Sequence, residues 1–496
     1  MKITKTTLIL YSFALLTNSQ SFAASYDVST GKNCNDKTGA PFCTLSAAIE
    51  KAVAGDSLRL AKGHYLGPIT IEKPLTLLGF EQGESIIDGQ KQGSVITIAP
   101  ATTVTLSRLR IQNGQAELGG GILNRGNLTV DRCRITGNVA TQSGGGIYNG
   151  GTYSSQLVVT HSEITDNIAK GDDKYNVRYG GGGIFNDGPL TVSHTTIKKN
   201  RANENGGGIY TVFSGRHAPS KAETSAEQMG LNTLSGPAKS LQRIVDESAV
   251  RVDHTNISDN GADSGGGINA HGVLLVENSL ISRNRAVNTN FSAGGGLFAH
   301  FDTRLRMVNS FIVRNQANYG GAGIRFYTTG YGKLMNVTIA ANNNTTHGHA
   351  AGVFIVHNTA QLELTNSLIA ENFGAGQPAD CGGKLISQGY NLLGNSNGRD
   401  CQWQIGEGDI IGTPEKPILN QILWKKTDVI PSLTPTSVAI DGGNPLGCLG
   451  FDGTPLTVDY FDAPRPVSEK TKQAQCDIGA LEWRAPKGAK LGKKMK

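Results

Sequence analysis

Short alternations of apolar and polar residues recur along the middle of the chain, and they recur in step. Segments such as Leu128-Thr-Val130, Leu190-Thr-Val192 and Leu274-Leu-Val276 carry the period-two pattern of a strand with one buried face. After each such segment comes an Ile with an Asn three residues later: Ile135/Asn138, Ile164/Asn167, Ile197/Asn200, Ile257/Asn260, Ile281/Asn284, Ile312/Asn315, Ile339/Asn342 and Ile369/Asn372. Before it comes a glycine run closed by an aliphatic. The runs start at Gly119, Gly144, Gly181, Gly206, Gly265, Gly294 and Gly321, and a degenerate copy reads Ala350-Ala-Gly-Val353. They are mostly 25 to 29 residues apart, with two longer gaps of 37 and 59. A self-similar period of this size marks a solenoid, whose units bury their apolar faces only against each other. The pattern predicts an all-β parallel β-helix of roughly ten or eleven coils, each with three short strands.

The phase of each strand assigns its side chains to files. Ile122, Ile147, Ile184, Ile209 and Ile268 point inward together. Five residues before each file Asn stand Cys133, Ser162, Thr195, Thr255, Ser279, Ser310, Val337 and Ser367, small side chains suited to an inward position near a corner. Cys133 is thereby expected to be a buried free thiol behaving as a small apolar group. One position earlier come Arg132, His161, His194, His254, Asn278, Asn309, Asn336 and Asn366. Asn and His tolerate a left-handed backbone, so this file reads as a tight corner and the three histidines as corner residues in place of ligands. The Asn file itself reads as a ladder of amides bonded from coil to coil.

Residues on the other side of the glycine-led strand face out. The first outward file is Leu123, Tyr148, Phe185, Tyr210, Asn269, Phe298, Arg325 and Phe354. With coils ~4.8 Å apart, it predicts a ribbon of rings suited to stacking on sugars, or else a cover over the neighbouring glycines. The second is Arg125, Gly150, Asp187, Val212, His271, His300, Tyr327 and Val356. Only around His271, His300, Arg325 and Tyr327 do imidazole, guanidinium and phenol converge. A polysaccharide lyase needs a cation to neutralise a uronate and a base to take the adjacent proton, and these residues could supply both. Long insertions at 168–179 and 212–249 frame the same face. Asp172, Asp173 and Asp187 could offer oxygens to a Ca²⁺ ion; solvated loop is the favoured reading, and no cofactor is expected.

Composition adds the compartment. Residues 1–23 read as an export signal: Lys2 and Lys5, an apolar stretch at 8–16, and Ser21-Phe22-Ala23 as a cleavage site. The formal charge of +6 falls to +4 without those two lysines. No later stretch has the ~18 apolar residues of a membrane span. Seven cysteines in an exported chain imply bridges. Six lie outside the repeats in local pairs, Cys34 with Cys43, Cys381 with Cys401 and Cys448 with Cys476. Six cysteines allow fifteen pairings, of which the local set is favoured. Residues 44–55 read as an amphipathic helix with Leu45, Ile49 and Val53 on one side. The expected organisation is a signal at 1–23, an N-terminal cap at 24–55, the β-helix at 56–375, a disulfide-stabilised capping region at 376–482 and a basic disordered tail at 483–496.

The glycine run, Ile and later Ile-x-x-Asn resemble the right-handed, single-stranded parallel β-helix repeats of the pectate-lyase-like superfold. They are especially similar to the repeats of chlamydial polymorphic outer-membrane proteins, with Ile in place of Phe. Cys43-Thr-Leu-Ser-Ala-Ala-Ile49 is similar to the start of bacterial surface β-helices. Ser387-Gln-Gly-Tyr-Asn391, Ala439-Ile-Asp-Gly-Gly443 and Cys476-Asp-Ile-Gly-Ala-Leu-Glu482 resemble the choice-of-anchor Q ending of secreted β-helix proteins. The signatures of polygalacturonases, pectate lyases and epimerases are absent; His347-Gly-His349 is a superficial echo. The reading is therefore a secreted, periplasmic or cell-surface monomer that binds a polysaccharide or cell-surface glycan through Tyr148, Phe185, Tyr210, Asn269, Phe298 and Phe354, in an adhesin-like role. The alternative is a lyase or epimerase on an acidic polysaccharide. No nucleic-acid partner is expected.

Overall fold

The computed structural model describes residues 23–37, 41–151, 155–171, 179–212, 250–327, 329–346, 348–357, 359–396, 401–413, 416, 418, 420–423, 430–466 and 475–484. The expected export signal (save Ala23), the basic tail (save Trp483 and Arg484), Asp172 and Asp173, His347 and nearly all of the 212–249 insertion lie outside them. Within them the chain is almost wholly β and winds as a parallel β-helix. One coil comprises Ile122–Asn124, Asn127–Asp131, Arg134–Thr136 and Val139–Ser143. The next coil sets Ile147 on Ile122, Leu157 on Leu128, Ile164 on Ile135 and Ala169 on Ala140, all in parallel register. The inward file Ile122, Ile147, Ile184, Ile209 and Ile268 is fully buried.

Each repeat holds a fourth strand beyond the three expected. In six repeats it follows the file Asn as Asn-x-Ala and buries Ala140, Ala169, Ala202, Ala262, Ala286 and Ala317, and in the last two Asn344 and Gly374 take the alanine's place. The small side chain lets this strand lie close to the glycine runs. Those runs are glycine for two reasons. The first residue of each, from Gly119 to Gly321, has φ between 58° and 71°, where a side chain is strained. The second and third face the next coil's backbone. A Cβ on Gly120 would lie 2.5 Å from the Val139 carbonyl oxygen, and one on Gly121 2.5 Å from that of Gly146.

Polar ladders run through the interior. Each file Asn from Asn138 to Asn342 donates its amide to the Asn one coil on at 2.8–3.0 Å. Asn372 ends the ladder on the Asp380 carboxylate at 2.7 Å. A second ladder, Asn124 to Asn149 to Asn186, follows the first outward file. The small-residue file is a third: the Cys133 N–H donates to Ser162 Oγ at 3.0 Å, and Ser279 and Ser310 repeat the motif. Cys133 is fully buried and free, as expected, but its sulfur does more than fill space. It accepts the Leu109 N–H at 3.4 Å, holding a hydroxyl's place in the ladder. Burial pushes its thiol up to about 12, so it is no nucleophile at neutral pH. The corner file from Arg132 to Asn366 has φ between 42° and 54°, the left-handed geometry expected.

The three local disulfides form as favoured. Parallel pairing reaches beyond 56–375 at both ends, from Ser25–Val28 on Ser57–Leu60 to Ile410–Ile411. Leu385, Leu393 and Ile411 supply the further apolar layers that make this pairing favourable. The helix is shorter than the pattern implied, Leu45–Lys51, and Thr44 caps it by accepting the Ala47 N–H at 3.3 Å. It buries Leu45, Ala48 and Ile49. Val53 lies past its end and is exposed, so it does not join that face.

The C-terminal segment turns back along the flank. Ile422, Leu433, Ile440, Ile478 and Leu481 pack on Phe311, Leu368 and Leu392 of the Ile-x-x-Asn sheet. Three corner asparagines hold its backbone: Asn366 donates to Asp477 O at 2.8 Å, Asn336 to Leu449 O and Asn309 to Val458 O at 3.1 Å. Arg465, wholly buried beside Glu482 at 3.0 Å, also donates to Asn309 Oδ1 at 2.9 Å.

Two predictions test the ladder. Asn200→Ala strands the Asn167 amide and the Ile164 carbonyl, so denaturant unfolding should show a loss of about 3 kcal/mol; an unchanged midpoint would mean the ladder contributes nothing. Burial raises the Asp380 carboxyl to about 7, against the hydrogen bonds from Asn372 that lower it. The folded chain then holds a proton that the unfolded chain has released between its ordinary 3.8 and about 7. The stability this group contributes is therefore full at the acid end and lost as pH rises through 7. Asp380→Asn should flatten the fall in stability between pH 5 and pH 8, read from melting temperatures.

Candidate functional site

The first outward file exists in register: Tyr148 pairs with Phe185, Phe185 with Tyr210, Asn269 with Phe298, Phe298 with Arg325 and Arg325 with Phe354. It is not an open ribbon. Phe185, Tyr210, Asn269 and Phe298 are buried, and Leu123, Tyr148 and Phe354 are half-buried. The turn before each glycine run accounts for part of this cover. Bridges from Gly180 to Asn205, to Ser264, to Ala293 form a low wall beside the file. A Cβ on Gly180 would lie 2.9 Å from the Tyr210 ring, and one on Gly320 2.7 Å from Phe354. Rings here cover glycine backbone, the second of the two roles expected. Asn269 is spent inside the wall, donating to Asn205 Oδ1 at 2.9 Å. Tyr148 and Phe185 stack at 4.6 Å, several coils away from the polar cluster.

That cluster does assemble. His271 and His300 stack at 3.9 Å, and Phe298 lies 4.6 Å from His300 and 6.3 Å from Tyr327. His271 is buried, and its Nδ1 sits 2.9 Å from Asp302 Oδ1. It cannot touch a polymer chain on the surface; what it can do is fix the ring beside it. Asp302 lies in the turn just after His300, and no strand pattern marks a turn residue.

Arg325 is the centre of the arrangement. Its guanidinium carbon lies 5.0 Å from the ring centre of Tyr319, 5.5 Å from Phe298, 5.8 Å from Phe354 and 6.0 Å from Tyr327. The residue is 9% exposed. Its Nε has no hydrogen-bond partner, and among the described residues no carboxylate pairs with it. Burial pulls its pKa down, and the guanidinium stays charged all the same. Aromatic faces stabilise such a cation by roughly 0.5–2 kcal/mol each, less than a hydrogen-bonded anion gives. Tyr327 beside it is exposed, as are Phe291, 5.9 Å from Tyr319, and Phe301, 5.9 Å from His271, and Tyr319 and His349 complete the wall at 4.8 Å. Tyr319 and Phe291 sit in the turns before the glycine runs, outside both files, and strand alternation could not reveal them. Asp187 keeps its place in the second file, away from this cluster.

No protein-family model and no curated protein matches the chain. Solved structures do. The chain is similar to a pectate lyase, Pel9A, at 13% identity and a TM-score of 0.42, over 94% of this chain and 97% of that one. It is similar to XylC in complex with xylose at 10% identity and a TM-score of 0.49, over 92% and 98%. A PL6 alginate lyase complex with trisaccharide matches at 11% identity and a TM-score of 0.33, over 85% and 93%. Likenesses this distant bear on no residue of the site.

The two roles of the rings separate by mutation. Tyr210→Ala empties a fully buried position and should lower stability by about 3–5 kcal/mol. Tyr327→Ala, at a ring 37% exposed, should change it by about 1 kcal/mol or less. Equal losses in chemical denaturation would contradict the division into cover and surface.

Proposed function

We propose that this protein is a disulfide-bonded, exported β-helix that binds acidic polysaccharide at the Arg325 cluster. The role is adhesin-like, with no chemistry performed on the glycan. The observation that carries the reading is Arg325, buried among four rings and, among the described residues, without a carboxylate beside it. A desolvated guanidinium gains most from a planar anion that it can meet with two parallel N–H bonds, and a uronate carboxylate has that shape. Tyr327, Phe301 and Phe291 offer exposed ring faces beside it for the apolar faces of the sugars. The site is thus narrower than a ribbon and lies over the coils of His300, Arg325 and Phe354. Tyr148 and Phe185 fall outside it.

A second reading rests on the Asp302–His271 pair stacked under His300. In a lyase, Arg325 would neutralise the uronate carboxylate while Tyr327 or His300 removes the proton from C5. The electron pair of that C–H bond becomes the C4–C5 double bond, the C4–O bond breaks, and the departing oxygen takes a proton. His271 and Asp302 would then be positioning residues.

Calorimetry against uronate-rich and neutral polysaccharides tests the first reading. The acidic polymer should bind and the neutral one should not. Arg325→Gln should weaken binding at least tenfold with little change in melting temperature. Binding that ignores the charge of the polymer, or survives Arg325→Gln, sinks the reading. Ultraviolet absorbance of new unsaturated ends, abolished by Tyr327→Phe or His300→Ala, would instead establish the lyase.

A further inference from the structure

On the opposite flank of the solenoid, the corner file carries histidine on three successive coils. His161, His194 and His254 stack ring on ring, at 5.0 Å and 20° and then at 4.8 Å and 7°. Their backbones are left-handed, with φ of 49°, 49° and 42°. That conformation does not call for imidazole, because Asn278, Asn309, Asn336 and Asn366 hold it equally well with φ of 44° to 54°. Nor does docking of the C-terminal segment call for it at His161 or His194. Three of those asparagines bind the segment's backbone, whereas no such bond reaches His161 or His194 among the described residues.

What surrounds the histidines is acid. Asp253 Oδ1 lies 2.7 Å from His254 Nδ1, and Asp131 Oδ1 lies 3.6 Å from His161 Nδ1. From the C-terminal segment, Asp462 Oδ1 comes within 3.5 Å of His254 Nε2. One ligand atom each from His194, Asp253 and His254 lie within 4.8 Å of one another.

We propose that His194, Asp253 and His254 form a surface site for a first-row divalent metal ion, Zn²⁺ above all, with Ni²⁺ and Cu²⁺ as alternatives of the same class. Two imidazoles and one carboxylate suit borderline ions of this kind; Ca²⁺ and Mg²⁺ prefer sets made of oxygen alone. Zinc ligands stand ~2.0–2.1 Å from the ion. Ligand atoms around such an ion stand ~3.3 Å apart, so Asp253 must part slightly from His254, now at 2.7 Å, while His194 moves in, and the exposed or half-buried positions of the three leave room for both. Asp462 is placed to orient His254 from its other nitrogen, the usual companion of a metal-bound imidazole. Because Asp462 belongs to the C-terminal segment, a bound ion would also tighten the docking of that segment on the coils.

The test uses the full chain with its disulfides intact, stripped of metal with a chelator and titrated with ZnCl₂ in a calorimeter. One equivalent should bind, and CaCl₂ should give no heat. His194→Asn and His254→Asn place at each corner the residue that neighbouring coils already use, so both should fold and lose at least tenfold in zinc affinity; His194→Asn should leave the melting temperature unaltered, and His254→Asn, which gives up its contact with Asp462, should lower it slightly. His271→Asn, at the other histidine cluster, should bind as the wild type does. A wild type that takes up no zinc, or binding that persists in His254→Asn, overturns the site. Loss of binding in His271→Asn alone would place the zinc elsewhere and overturn it equally.

Discussion

Each buried asparagine of the Ile-x-x-Asn file has its hydrogen-bond partner one coil away, and this requirement sets the register of the stack. An amide in an apolar interior that misses its partner costs about 1–3 kcal/mol. A slip of one residue would break every rung at once, from Asn138 to Asn372. Apolar layers alone tolerate sliding, since Ile on Ile and Ile on Leu pack almost alike. Amide on amide does not. The glycine runs are the other half of the same constraint, because the backbone beside each rung comes close enough to exclude a Cβ.

Fixed register also fixes what the outer surface can be. Any residue type repeated at one place in the unit becomes a line of side chains at the coil spacing, whether or not a line is useful. Much of the aromatic file is structural in this sense: Phe185 and Tyr210 are buried against turns that the glycines leave thin. The line acquires chemical character only where its composition breaks, at Asn269, Phe298, Arg325 and Phe354. There the second file changes from Val212 to His271, His300 and Tyr327.

The sequence made the periodic part of the molecule readable, since a repeat is its own control. Eight copies of Ile-x-x-Asn expose the inward file, the corner and the ladder by comparison within one chain. The bridges could be favoured because local cysteine pairs close short loops. What escaped was short or distant. The fourth strand is often two residues long, too brief for alternation, although Asn-x-Ala was there to be seen. The return of the C-terminal segment depends on contacts such as Asn309 with Arg465 and Asn336 with Leu449, more than a hundred residues apart. Burial of the ring file depends on turns whose path no strand pattern encodes. For the same reason strand alternation places His271 and Arg325 on the outer face but is silent on Asp302 and Tyr319.

Three buried charges show how this chain treats an ion removed from water. Arg465 meets Glu482, a carbonyl at Gly479 and the Asn309 amide oxygen. Asp380 ends the asparagine ladder, where Asn372 donates to it twice, and burial keeps it protonated up to about 7. Both are supplied with partners from within the fold, as the cost of desolvation demands. Among the described residues, Arg325 is supplied only with rings, and its Nε has no hydrogen-bond partner. It cannot discharge itself at any ordinary pH as Asp380 does. Among the described residues, Arg325 thus differs from Arg465 and Asp380 in facing aromatic rings in place of polar partners. Among the described residues no carboxylate meets Arg325, and the acidic polysaccharide proposed above would supply one.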